Sequence, residues 1–230
     1  MLLKPADHEK IRAAIEAVEA KTSGEVLGVV ARQSAHYWET PLVWAGGVAL
    51  IVPAIAVMFG LRPATLTNLI SPDWTAAHAA GIDLAVTQAL MAFTTAQAVL
   101  FVLVALIVSI RPIRQLLTPS GLKREHVHKR AEEQFAAQGL HLTTNRMGVL
   151  IYASLGERRA VVIADRGVAA KVEPEEWEAV VGALIAGMKA KDPGAGFAAA
   201  IAKAGEILAA HCPRRPDDKN ELPDTVIELE

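Results

Sequence analysis

Residues 34–48, SAHYWETPLVWAGGV, follow almost directly on EVLGVVA at residues 25–31. The earlier stretch is apolar and rich in valine, and it reads as a buried strand that must pair with others. The later one opens a run that reads as a membrane crossing. How a strand in need of a sheet comes to lead straight into lipid decides the architecture. No residue between Glu39 and Arg62 is charged, and none between Asp83 and Arg111. Each gap can supply the ~20 residues that cross a ~30 Å hydrocarbon layer. One charge at mid-span costs about 2.5 kcal/mol or more, against roughly 0.3 to 0.6 kcal/mol gained per Leu, Ile, Val or Phe. Two spans are therefore predicted, near 41–60 and 89–110. Two core helices of a large globular domain are the plainer alternative, since Ala and Gly dilute both segments.

Tyr37, Trp38 and Trp44 lie where an interfacial aromatic belt belongs, and Trp74 marks the other face. Pro53 predicts a kink in the first span. That span begins well inside the chain with no basic segment beside it, unlike a secretory signal. Lys and Arg set the orientation. Only Arg62 lies between the spans, whereas Arg111, Arg114, Lys123, Arg124, Lys129 and Arg130 follow the second, and Lys21 and Arg32 precede the first. This asymmetry predicts an inner-membrane protein with both ends in the cytoplasm.

The 230 residues include only 21% charged ones, and mean hydropathy is +0.30. These values argue against an ordinary soluble protein. The net charge of −2 averages basic residues beside the spans with an acidic tail. The single Cys212 forms no internal disulfide, fits a reducing compartment, and reads as a small buried residue near a helix end.

A helix is expected from Lys4 to Lys21, with Ile11, Ile15 and Val18 on one face. After the spans, a basic helix runs over 122–138. His126 and His128 stand two apart on it and point in different directions, which disfavours a shared metal. Strands are expected at 147–155 and 159–165, and their tight link at Gly156, Glu157 and Arg158 requires an antiparallel hairpin. Pro174, Glu175 and Glu176 open a helix carrying Trp177, Val180, Leu184 and Met188 as its apolar stripe. Asp192, Pro193 and Gly194 break it, and a last helix spans 197–211. Residues 213–230 read as an extended acidic tail, with Leu222 and residues 226–229 packing along the domain or a partner.

A helix and strand of fewer than forty residues cannot bury enough surface to stand alone. Residues 25–31 must pair with the later strands, and two crossings bring the chain back to the side it left. The fold expected is α/β: an α/β/α sandwich around a small mixed sheet, interrupted by a two-helix transmembrane hairpin. Residues 1–37 form its first part, 38–110 the hairpin, 111–212 its second part and 213–230 the tail.

The stretches EAKTSGEVLGVVA (19–31), LTTNRMGVLIYASLGERRAVVIADRGV (142–168), Trp177 and NELPD (220–224) together resemble the TPM domain family. The likeness is to its bacterial branch of membrane proteins that carry a transmembrane insertion. It implies an α/β/α sandwich and roles in assembly or repair of membrane complexes; acid phosphatase activity or divalent-cation binding is credited unevenly across the family. Many relatives hold the domain outside the cytoplasm, and the charge distribution here departs from that.

If the crossover makes residues 25–31 and 147–154 parallel, as a helical connection favours, Glu25, Thr144, Asn145, Arg146, Asp165 and Arg166 share one rim. The first strand leaves for the membrane from the other. Glu25, Asn145 and Asp165 could then hold calcium or magnesium through hard oxygen ligands, with Arg146 and Arg166 on a phosphoryl group. The plainer reading makes Glu25 a strand start and Asp165 with Arg166 a polar turn. Asp217, Asp218, Asn220 and Glu221 could also meet a cation, though no calcium-loop spacing is present. Trp38, Trp44, Arg111, Arg114, Arg158 and Arg159 are expected at the membrane interface. Few aromatics and no recognition motif accompany the basic residues, which argues against nucleic acid. The expected function is a membrane-anchored accessory or scaffold protein whose partners are the lipid bilayer and a membrane protein. The alternative is a divalent-cation-dependent acid phosphatase.

Overall fold

The computed structural model describes residues 2–60, 82–216 and 220–230, with backbone alone at 82–86 and at Asn145. Arg62, Trp74, Asp217, Asp218 and the Asn145 side chain thus lie outside the described residues. The chain divides into an α/β domain, Met1–His36 with Ser120–Glu230, and a helical unit, Tyr37–Pro119.

In the α/β domain, α1 (Pro5–Glu19) turns Ile11, Ile15 and Val18 inward. It is followed by β1 (Glu25–Ala31). Beyond the helical unit come α5 (Ser120–Ala137) and the antiparallel pair β2 (Gly148–Ser154) and β3 (Arg159–Ala164). A short α6 (Arg166–Ala169), α7 (Glu176–Lys189), α8 (Pro193–His211) and β4 (Val226–Leu229) complete it. The sheet order is β3-β2-β1-β4. β1 lies parallel to β2, with Glu25 opposite Gly148 and Ala31 opposite Ser154.

Alternation along the strands separates two cores. Val26, Val30, Val149 and Ile151 face α1, α7 and α8 through Ile11, Ile15, Leu184, Phe197, Ile201 and Leu208, and Trp177 packs against this layer. Leu27, Val29, Leu150 and Tyr152 face α5 through Val127, Ala131 and Phe135. The domain is a three-layer α/β/α sandwich around a mixed sheet. At the exit of β1 the Glu157 carboxylate accepts the Ser34 N–H at 3.1 Å and the Ser154 hydroxyl, which fixes the β2–β3 turn.

Two local readings change. Asp192 does not simply break the chain; its carboxylate accepts the Ala195 N–H at 3.0 Å and Pro193 takes the first helical turn, so α8 begins four residues earlier than expected. The end of the tail is not a loose extension. β4 pairs in parallel with β1, Gly28 to Ala31 against Val226 to Leu229, and covers an edge that would otherwise expose unpaired backbone groups.

The helical unit contains α2 (Glu39–Met58), α3 (Ile82–Ser109) and α4 (Arg111–Leu117). It runs to Pro119 rather than to residue 110, because α4 folds back on it: the Trp44 indole N–H donates to the Leu117 carbonyl at 3.3 Å. Two of its helices, over Glu39–Met58 and Thr87–Ser109, are long and apolar enough to cross a membrane. Their apolar windows are only 17% and 6% buried, whereas core helices of a globular domain would be mostly buried. Ala45 and Ala49 are buried where α2 packs on α3, as small residues let helices approach closely. Pro53 lies inside α2. It has no N–H to offer the Ala49 carbonyl four residues back. The Gln97 side-chain amide of α3 donates to that carbonyl instead, at 3.2 Å.

Candidate functional site

The strand-opening segment Thr22 to Glu25 is clamped from both sides. The Thr22 hydroxyl donates to the Cys212 carbonyl at 2.5 Å and accepts the Gly24 N–H at 3.0 Å. The Arg215 N–H donates to the Ser23 hydroxyl at 3.0 Å. A side chain at Gly24 would press on Leu208 at 3.0 Å. Cys212 is buried, and burial pushes its thiol up from the ordinary range, in keeping with a packing role.

These clamps hold Glu25 at the rim, 5% exposed, where its carboxylate accepts the Glu221 N–H at 3.1 Å. Beside it opens a cleft of about 270 Å³, lined by Glu16, Glu19, Glu25, Arg214, Asn220 and Asp224. The Asn220 amide donates to Glu19 at 2.9 Å and to Asp224 at 2.6 Å. Burial first, and then the charges of Glu25 and Asp224, push the Glu19 carboxyl up from 4.5 to about 8. Glu19 therefore keeps its proton at neutral pH and can share it with a neighbouring carboxylate.

The sequence-derived set divides. Glu25 and Asp165 stand on one rim and one face of the sheet, for the Asp165 N–H donates to the carbonyl of Gly148, the partner of Glu25. Two strand spacings, roughly 10 Å, separate their backbones. The interval is occupied: any side chain on Gly148 would meet the Leu140 carbonyl at 2.6 Å. Asp165 instead caps α6, accepting the Arg166 N–H at 2.7 Å, where the plainer reading had a polar turn. Its other carboxylate oxygen is buried with no hydrogen bond among the described residues. Arg146 and Arg166 are exposed on short helical turns, Thr144–Arg146 and α6, that pack together, and neither lines the cleft.

The helix residue His128 faces solvent beside Glu132 at 3.4 Å. Of the expected interface residues, Trp38 and Trp44 are exposed on the helical unit with Arg111. Arg114 is half-buried there, and in the α/β domain Arg158 sits on the β2–β3 turn and Arg159 opens β3.

Glu19 and Asp224 escaped the reading of the sequence, although both lie in the motif stretches quoted above. The tail's hydrogen bonds to Ser23 and Glu25, together with the pairing of β4 with β1, bring residue 224 to residue 19, and no spacing along the chain signals that meeting. Among the described residues, no three His, Cys, Asp or Glu side chains gather as a metal site. The cleft offers hard oxygen donors of the kind calcium and magnesium take, but not a converged ligand set.

No family model matches the chain, and no curated protein matches it. Among solved structures it is similar to the BA42 protein from the psychrophilic bacterium Bizionia argentinensis, determined by NMR. The TM-score is 0.54 at 18% identity, over 98% of this chain and 94% of that one. The likeness is one of fold.

Proposed function

We propose that this is a membrane-anchored accessory protein of the TPM type: a cytoplasmic α/β domain held at the bilayer by a helical hairpin, aiding assembly or maintenance of a membrane complex. One observation carries the reading. β1, which precedes the apolar helices, pairs residue by residue with β2, which follows them. A domain split in this way needs both halves on one side, so apolar helices inserted between them must cross as a there-and-back pair. The excess of Lys and Arg on the flanks supports the cytoplasmic side.

Reporter tags at residues 1 and 230 test the topology; both should report from the cytoplasm, and opposite sides would end the proposal. The accessory role predicts a stoichiometric membrane-protein companion on purification in mild detergent. Recovery of the chain by itself from its native membrane would count against that role.

A second reading is cation binding at this rim, for which the cleft offers the carboxylates of Glu19, Glu25 and Asp224 as hard oxygen donors but no converged ligand set. An ion bound there would have to displace the proton that burial and the neighbouring charges keep on Glu19. Calcium should then raise the melting temperature with the release of about one proton per ion, an effect removed by Asp224→Asn. No effect at roughly 10 mM, above the weakest protein calcium sites, rules the reading out. The phosphatase alternative places Arg146 and Arg166 on the phosphoryl group, although neither lines the cleft. Phosphate-ester hydrolysis at acid pH that is lost with Arg146→Gln and Arg166→Gln would support it, and an unchanged rate would sink it.

A further inference from the structure

A second hollow, of about 480 Å³, opens at the other end of the sheet, between the β2–β3 turn and the C-terminal part of α7. Leu155, Ile185 and Met188 make its wall apolar. Four cations line it as well: Arg158, Arg159, Lys189 and Lys191. No carboxylate does. The neighbouring acids are committed elsewhere, Glu157 to Ser34 and Ser154, and Asp192 to the α8 cap and Lys10. Among the described residues none of the four cations makes an ion pair, and Arg159 only donates to the Ser120 carbonyl at 3.3 Å.

Four like charges around one apolar hollow repel one another, and an anion between them relieves that repulsion. Arg158 and Lys191 moreover adopt the left-handed backbone, φ 53 and φ 60, where glycine would be at lower cost. A bare anion would leave the apolar wall wet; an amphiphile satisfies both. The volume falls within the roughly 300–1,000 Å³ of ligand clefts, which suits one small molecule better than a protein segment. β1 ends at this end of the sheet, and only the seven residues 32–38 separate it from α2.

We propose that this hollow binds one anionic phospholipid, its phosphate among Arg158, Arg159, Lys189 and Lys191 and part of an acyl chain along Leu155, Ile185 and Met188. The assignment rests on the reading of α2 and α3 as spans. Insolubility to carbonate extraction tests the spans alone, so the two can fail separately.

The full chain in neutral detergent, labelled with ¹³C at its methionine methyls, is titrated with dihexanoyl phosphatidylglycerol, dihexanoyl phosphatidylcholine and inorganic phosphate. The Met188 signal is identified by its loss in Met188→Leu. It should saturate with phosphatidylglycerol at a concentration at least about tenfold below that of the other two. Each charge removed should weaken binding roughly fivefold, hence about 25-fold for Arg158→Gln with Lys191→Gln, with the other methionine signals unmoved. A Met188 signal that stays put, responds equally to phosphatidylcholine, or ignores the double substitution overturns the proposal. Equal affinity for inorganic phosphate would make the hollow a bare anion site. Tighter binding of an acidic amphipathic peptide would assign it to a protein partner; either result overturns the lipid.

Discussion

The backbone N–H of Glu221 donates to the Glu25 carboxylate at 3.1 Å, joining the tail to the first residue of β1. The Glu221 carboxylate in turn accepts the N–H and hydroxyl of Thr144, ahead of β2. The tail is thus stitched across the rim and then completes the sheet. Glu221→Ala removes exposed hydrogen bonds and should cost about 1 kcal/mol. Val226→Asp buries a charge at a position only 5% exposed and should cost about 3 kcal/mol or more. Unfolding of both variants under one condition measures the ratio; equal effects would mean that β4 does not hold the edge.

Acid should stabilise the domain through Glu19. Its folded pKa, about 8, lies above the unfolded 4.5, so the folded chain holds a proton the unfolded chain has lost. This contribution is full below about pH 4.5 and is lost as pH rises through 8. Melting temperature should fall between pH 6 and 8.5 in the native chain. Glu19→Gln, which keeps a neutral donor, should flatten that slope and raise the melting temperature at pH 8.5.

Two glycines of α7 should respond oppositely to alanine. A methyl on Gly187 would meet the Gly196 backbone of α8 at 2.2 Å. The helices must separate there, at a cost of about 1–3 kcal/mol. Gly182, on the same helix, has nothing within 4 Å of an added methyl. Gly182→Ala should stabilise by about 0.5–1 kcal/mol through helix propensity. Denaturation midpoints that move in the same direction would contradict the close crossing.

The bond from Gln97 to the Ala49 carbonyl calls for a double-mutant cycle. Gln97→Leu leaves that carbonyl unsatisfied and should weaken the helical unit by about 0.6 kcal/mol, the average for interhelical hydrogen bonds in membranes, and by no more than about 1.7 kcal/mol, their maximum. Pro53→Ala restores an N–H within α2, and in its background Gln97→Leu should be nearly silent. Additive losses in detergent unfolding would show that the amide does not stand in for the missing donor.

Residues 25–31 and 147–165 were legible as three strands because β-branched runs, a tight turn and a crossover leave few ways to pair them. Parallel pairing of β1 with β2 and antiparallel pairing with β3 follow from these local rules, as does the position of the apolar helices. VIEL at 226–229 was not legible as a strand. Four residues carry too little periodicity, and their partner, β1, lies nearly two hundred positions away. The cleft failed to show for the same reason, since Glu19 and Asp224 belong to segments that become neighbours only through the tail's contacts at the rim and the β1–β4 pairing. Glu25 and Asp165 show the converse: strand order alone placed both on one rim, but only packing put the Leu140 backbone over Gly148 between them. The sequence by itself determined what is local or fixed by chain direction: the helices, the three strands of residues 25–31 and 147–165, and the two long uncharged runs. Tertiary structure decided what meets across the rim, because carboxylate contacts and their shared proton depend on distances of a few ångströms that no spacing along the chain encodes.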